Sequence, residues 1–242
     1  MLDCLIIGGG PAGLTAAVYA ARFHLSVRVI DADASRAAQI PCTRNYPGFA
    51  DGISGLSLLG RLRDQALKYG AEIVEGRVET LARRDEGFIA TTSDEVVQGR
   101  AVLLATGVTN RRPTMDGATH AKAVATGRLR YCPVCDGFEV TDQTVAVIGA
   151  GSRGVRETLF LRAYTERLTL ISPGAGQDLL PDDRRALNEA GVQLLDGPVS
   201  DFRLEDQGLS VVCAKGRRTF DTVYPALGSD VHSDLAGSLA WP

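Results

Sequence analysis

What this chain lacks narrows it first. Only 10 of its 242 residues are proline and 45% are hydrophobic, so disorder, a collagen helix and a coiled coil are all disfavoured. Its five cysteines are irregularly placed and too few for a disulfide scaffold, which points to a reducing compartment. Neither sign of charge is in excess: 26 basic and 29 acidic residues are interleaved, with no polybasic arm and no acidic tail. Nucleic acid and membrane surfaces are therefore not the expected partners. Nor is there an unbroken hydrophobic run. The apolar stretch from Leu2 to Ala21 is interrupted by Gly8, Gly9, Gly10 and Pro11, and no Lys or Arg precedes it. Such a stretch reads as a buried strand feeding a helix, not as a signal peptide or a span. The expectation is a soluble, cytoplasmic protein of one large or two small domains.

What is present is a duplication. Shifted by 141 residues, Leu5-Ile6-Ile7-Gly8-Gly9-Gly10-Pro11-Ala12-Gly13 falls without a gap on Ala146-Val147-Ile148-Gly149-Ala150-Gly151-Ser152-Arg153-Gly154. The second apolar strand of each copy, Val27 to Asp31 and Leu168 to Ser172, keeps that register. Further on the offset becomes 121, pairing Gly70, Gly76, Val78, Gly87 and Gly107 with Gly191, Gly197, Val199, Gly208 and Gly228. Each copy reads as strand, Gly-rich turn, helix, strand and a second helix (about Leu56 to Tyr69, and Arg184 to Ala190). Short strands follow, Glu75 to Leu81 and Phe88 to Thr92 in the first copy. The fold class is therefore α/β, with two Rossmann-like dinucleotide-binding domains. Val108 to Gln143 repeats nothing, which makes it the place to look for chemistry.

A lone G-x-G-x-x-G is weak evidence, but both copies sit after an apolar strand and before a helix, the context the fingerprint requires. Gly8, Gly10 and Gly13 meet the demands of a tight turn, close approach of the backbone to pyrophosphate, and close helix–strand packing. Asp31 ends the second strand, where a carboxylate accepts hydrogen bonds from an adenosine ribose. Copy two repeats the glycines as Gly149, Gly151 and Gly154, yet offers a neutral hydroxyl, Ser172, at the acid's place. Arg153, opposite Ala12, either pairs with a phosphate there or obstructs one.

The unrepeated segment contains Cys132-Pro133-Val134-Cys135-Asp136-Gly137. A structural zinc site wants four ligands, and Cys4, Cys42, Cys213, His24, His120 and His232 are scattered singly, so no metal is expected. Two residues between the cysteines suit a redox-active disulfide, with Asp136 either a proton carrier or a turn former. Cys4 and Cys213 read as small core hydrophobes, Cys42 as an inert loop thiol, and His24 as a cap for the carbonyls ending the first helix.

Two dinucleotide fingerprints separated by C-x-x-C-D-G resemble the low-molecular-weight thioredoxin reductases. Asn45-Tyr46-Pro47-Gly48-Phe49 and Ala105-Thr106-Gly107 extend the likeness over nearly the whole chain. The resemblance implies FAD at the first fingerprint, held by Gly8, Gly10, Pro11, Ala12, Gly13 and Asp31. Gln39 and Asn45 would lie toward the flavin, Val78 near the adenine, and Thr106 and Gly107 at the crossing between domains. It implies NADPH at the second fingerprint, Cys135 facing the flavin, Cys132 exchanging with the substrate disulfide, and Asp136 supplying the proton. A thioredoxin-like protein or a small dithiol or disulfide would be the substrate, and a homodimer the assembly.

The chain departs from that family in three places. Ser172-Pro173-Gly174-Ala175 stands where the family carries His-Arg-Arg and a further Arg, leaving NADH, another donor or none open beside NADPH. The stretch from Gln39 to Asn45 is shorter. After Gly228 only 14 residues remain, too few for a strand, the family's Gly-Asp motif and a helix. The expected division is 1–110 for the first part of an FAD domain, 111–228 for an NAD(P) domain carrying the cysteine pair, and 229–242 for a short remnant. The FAD domain is thus expected to be incomplete at its C-terminal end. Three activities fit: a thioredoxin-reductase-like flavoenzyme, an FAD-dependent dithiol oxidase using oxygen, or a nucleotide-binding remnant without turnover.

Overall fold

The computed structural model describes residues 1–239. The chain divides into two compact units, one of residues 1–42, 53–109 and Asp230 onward, the other of residues 43–52 and 110–229.

The first unit opens with β1 (Leu2–Ile7), α1 (Pro11–Arg22) and β2 (Val27–Asp31), followed by α2 (Gly55–Lys68) and β3 (Glu72–Glu75). A meander of β4 (Thr80–Arg84), β5 (Gly87–Thr91) and the nine-residue β6 (Val96–Leu104) completes its sheet, in the order β3-β2-β1-β6-β5-β4. β3, β2, β1 and β6 run parallel, and β5 and β4 pair antiparallel beyond them. The unbroken apolar run of β1 follows from its central place: Ile6 packs with Ala17, Val18 and Ala21 of α1, while Leu5 and Ile7 face the opposite cluster around Ile30 and Leu81. Glu75 to Leu81, expected as one strand, is two strand ends with a crossing between them. Gly76 N–H bonds the Asp31 carbonyl at the parallel edge, and Glu79 N–H already bonds Thr91 in the meander.

His24 does close the first helix, but through its backbone. It takes a left-handed φ of 61°, its N–H bonding Ala21 while Leu25 N–H bonds Ala20. That is the pattern of a Schellman cap, and it leaves the imidazole with no part in the capping.

After β7 (Val108–Asn110) the second unit holds α3 (Gly117–Ala125) and the short α4 (Pro133–Asp136). Then come β8 (Val145–Gly149), α5 (Gly151–Leu161), β9 (Leu168–Ile171), α6 (Pro181–Glu189) and β10 (Gln193–Leu195). β11 (Ser200–Glu205), β12 (Gly208–Cys213) and β13 (Gly216–Phe220) form a separate antiparallel sheet. β14 (Thr222–Ala226) returns to a parallel sheet of order β10-β9-β8-β14. One long strand, β6, thus does in the first unit what β13 and β14 share in the second.

The repeat extends to single contacts. A Cβ on Gly87 would collide with the carbonyl oxygen of Gly99, and a Cβ on Gly208 with that of Phe220, its counterpart at the offset of 121. Their φ angles, 147° and 156°, are ones that side chains rarely adopt. Finally β15 (Ser229–Val231) pairs with β7, and α7 (Asp234–Gly237) follows, with Leu235 and Leu239 packed on the cluster around Leu5 and Leu81. Residues 240–242, the end of the expected remnant, lie outside the described residues.

Candidate active site

The first fingerprint is shaped by what cannot be added to it. A Cβ on Gly8 would run into the Ala105 carbonyl, and one on Gly13 into the Gly8 carbonyl, so β1, α1 and the end of β6 meet with backbone against backbone. Gly10 differs: a Cβ there would meet only Ser35 Oγ, at 3.4 Å, and otherwise open space. Gly10 is the N-cap of α1 and Pro11 its first residue, which leaves the helix's free amides pointing at that space. This cradle fits the pyrophosphate of a dinucleotide such as FAD.

Asp31 is nearly buried, and its carboxylate is turned onto the fingerprint. Oδ1 accepts from Gly9 N–H at 3.1 Å and Asp33 N–H at 3.2 Å, and Oδ2 takes Arg63 of α2 at 3.0 Å. Gly9 has no room for a side chain against that carboxylate. The remaining residues assigned to this site lie on several segments, with Thr106 N beside Gly8. Gln39 closes a one-turn 3-10 helix in the first unit, whereas Asn45 falls in the segment grouped with the second and accepts from the Thr43 hydroxyl at 2.6 Å. The Val78 side chain belongs to the core, packed with Leu5, Ile30 and Leu81. Thr106 and Gly107 are held by His232: the Thr106 hydroxyl donates to its carbonyl, its N–H donates to Gly107, and its Nε2 lies 2.9 Å from the Thr109 hydroxyl.

In the second copy Gly149 and Gly154 are pressed together, while Gly151, with φ of 54°, opens onto space. Ser172 is buried and turned inward. Its hydroxyl donates to the Gly176 carbonyl at 2.6 Å and accepts from Gly174 N–H at 3.3 Å, so it closes its own loop. Arg184 of α6 reaches the same loop, donating to the Gln177 carbonyl at 3.4 Å. Arg153 lies beside Gly228, with Glu157 4.0 Å away.

Cys132 and Cys135 form a disulfide, with Cys132 at the N-cap of α4 and its carbonyl accepting from Cys135 N–H at 2.8 Å. Both are half-buried, beside Val134 and Phe138, which are 74% and 78% exposed. Gly137 follows because the Tyr164 ring would lie 2.6 Å from any Cβ there. The Asp136 carboxylate is gripped at both ends: Tyr224 of β14 donates to Oδ1 at 2.8 Å, and Arg130 donates to Oδ2 at 3.0 Å. Burial raises the Asp136 pKa above the usual carboxylate value, with Arg130 and Tyr224 pulling the other way. On the other side of Cys132, the Tyr131 hydroxyl meets His120 Nε2 at 2.7 Å. Burial holds His120 below its ordinary pKa and pushes Tyr131 up to about 12.

A cysteine disulfide with a clamped acid directly after it lies in sequence between two glycine-rich turns. The family model described as pyridine nucleotide-disulphide oxidoreductase matches residues 2–240. The chain belongs to this family. Among pyridine nucleotide-disulphide oxidoreductases, it is 31% identical to a thioredoxin reductase of Mycolicibacterium smegmatis over 96% of this chain and 77% of that protein. It is 37% identical to the thioredoxin reductase of Treponema pallidum over 70% of this chain and 55% of that protein. It spans about half the length of several further thioredoxin reductases. Two solved structures share its fold. The crystal structure of HlmI has a TM-score of 0.87 at 30% identity, covering 98% of this chain and 75% of HlmI. Thioredoxin reductase from Streptococcus pyogenes has a TM-score of 0.88 at 27% identity, covering 98% of this chain and 79% of that one.

Arg63, Arg130 and Tyr224 were not singled out by sequence reasoning. The repeat carried a signal for Tyr224: its counterpart at the offset of 121 is Leu103, so a phenol replaces an aliphatic side chain in an otherwise apolar strand.

Proposed function

We propose that this chain is a flavoprotein disulfide oxidoreductase that passes electrons from NADPH, through FAD at the first fingerprint, to the Cys132–Cys135 pair and on to a thioredoxin-like disulfide. The observation that carries this reading is the Cys132–Cys135 disulfide with Asp136 clamped directly after it. FAD, when bound, supplies the electron pair that reduces the disulfide. Gly8, Gly10, Pro11, Ala12, Gly13 and Asp31 would hold its adenosine diphosphate half.

The exchange then belongs to the chain's own residues. The Cys132 thiolate attacks one partner sulfur to form a mixed disulfide, and the other partner sulfur leaves with a proton from Asp136. The Cys135 thiol returns a proton to Asp136, and its thiolate attacks Cys132. That restores the Cys132–Cys135 bond, and the second partner sulfur leaves with the returned proton. Exposed Val134 and Phe138 flank the pair with apolar surface that suits a protein partner.

The donor is read from copy two. Arg184 stands at the offset of 121 from Arg63, but Ser172 replaces the acid that Arg63 meets, which favours a phosphorylated ribose over a bare one. The oxidase reading draws on the same loop, since Ser172-Pro173-Gly174-Ala175 carries no cation. Anaerobic stopped-flow mixing of the FAD-loaded protein with NADPH tests both. Rapid bleaching of the flavin absorbance is expected. A flavin that stays oxidised under NADPH yet bleaches with a small dithiol would overturn the reductase reading.

A further inference from the structure

We propose that Tyr224 and Arg130 are positioning residues that let Asp136 take up and release a proton without moving. The proposal rests on the role of Asp136 given above. Arg130 fixes one oxygen. Its Nη1 donates to Oδ2 at 3.0 Å while its Nε donates to the Gly127 carbonyl at 3.1 Å, so the guanidinium is anchored at two points. A guanidinium only donates, so Oδ2 stays an acceptor in both protonation states and the proton is confined to Oδ1.

Tyr224 faces that other oxygen and can reverse its bond. The hydroxyl lies 2.8 Å from Oδ1 and 3.3 Å from the main-chain carbonyl of Asp136 itself. While the acid is ionised, the phenol donates to Oδ1. Once Oδ1 carries the proton, the acid donates to the phenol oxygen and the phenol hydrogen turns to the main-chain carbonyl. Neither heavy atom has to shift. The phenol is completely buried, so it keeps a hydrogen-bond partner in each state without recruiting water.

Two further groups lie near the acid. Glu139, one turn on, acts through space to disfavour the charge, and the Tyr164 ring covers Gly137. Arg130 and Tyr224 are the groups that donate to the carboxylate. Each bond favours the ionised acid, so losing either makes Asp136 hold its proton to higher pH.

The test uses the purified full chain reduced with dithiothreitol, freed of excess reductant, and mixed with bis(2-hydroxyethyl) disulfide in a single turnover across a range of pH. This reaction needs neither donor nor flavin. The rate should rise as the adjacent Cys132 thiol ionises and fall at higher pH as Asp136 loses its proton, and Asp136→Asn should abolish the falling limb while keeping the rising one. Tyr224→Phe should move the falling limb up by about one pH unit, and Arg130→Gln by about as much or more, with Arg130→Lys returning toward wild type. A merely structural tyrosine would change the rate or the melting temperature and leave the limb in place. The proposal is overturned if Tyr224→Phe or Arg130→Gln, folded by thermal melting, keeps the wild-type falling limb while Asp136→Asn removes it. A falling limb that survives in Asp136→Asn overturns the acid's role itself. Should Tyr224→Phe fail to fold, Arg130→Gln decides.

Discussion

The guanidinium of Arg63 lies 3.0 Å from Oδ2 of Asp31, an ion pair that Arg184 and Ser172 do not reproduce one repeat later. Copy one therefore neutralises this cation with its own carboxylate. Copy two leaves Arg184 with the Gln177 carbonyl as its hydrogen-bond partner among the described residues. Arg184→Ala should raise the KM for NADPH roughly tenfold to a hundredfold, the loss of one charged hydrogen bond, and leave the KM for NADH nearly unchanged. Equal effects on the two donors would contradict the assignment.

Gly10→Val should abolish FAD binding and spare the fold. The new side chain fills the space proposed for pyrophosphate, and its Cβ meets only Ser35 Oγ. Gly13→Ala should instead destabilise the unit, because its methyl runs into the Gly8 carbonyl. Flavin absorbance per chain after FAD addition, set beside thermal melting, separates the two outcomes.

Cys135→Ser should leave FAD binding intact and stop disulfide reduction. The substitution keeps the volume of α4 and removes the sulfur that resolves the mixed disulfide. Turnover at the wild-type rate would remove Cys135 from the mechanism.

Asp221 supplies a pH dependence of stability. Its Oδ2 accepts from Thr144 N–H at 2.8 Å and from the Thr144 hydroxyl at 2.6 Å, bonds that hold its carboxyl below the ordinary carboxylate range. A lowered folded pKa means the stabilisation is present above the unfolded value and is lost as pH falls through the folded one. Asp221→Ala should cost about 1 kcal/mol at neutral pH, somewhat less than a buried charged hydrogen bond because solvent screens it. The difference from wild type should shrink under acid, as chemical denaturation at several pH values would show.

The parts of this molecule legible in the sequence are the local ones. An apolar run, three glycines and a helix occupy consecutive residues, and so do the cysteines and Asp136, so their geometry follows from spacing alone. Gripping that acid was not legible: Tyr224 is 88 residues from it and reaches it only because β14 lies beside β8. Arg63 meets Asp31 across 32 residues for a similar reason, the packing of α2 on α1 and β3. The stretch from Glu75 to Leu81 shows another limit: it reads as one strand, but the chain is crossing from a parallel edge into a meander, and burial of Val78 in that crossing is a tertiary fact.

The paired glycines at 87 and 208 carry a consequence for how two copies of one plan come to differ. At both turns a side chain is barred by the carbonyl at 99 or at 220. Elsewhere the copies have diverged: an acid faces a serine at 31 and 172, and an aliphatic side chain faces a phenol at 103 and 224. Steric pins keep the scaffold in register, and so new chemistry can be written into one half without disturbing the other.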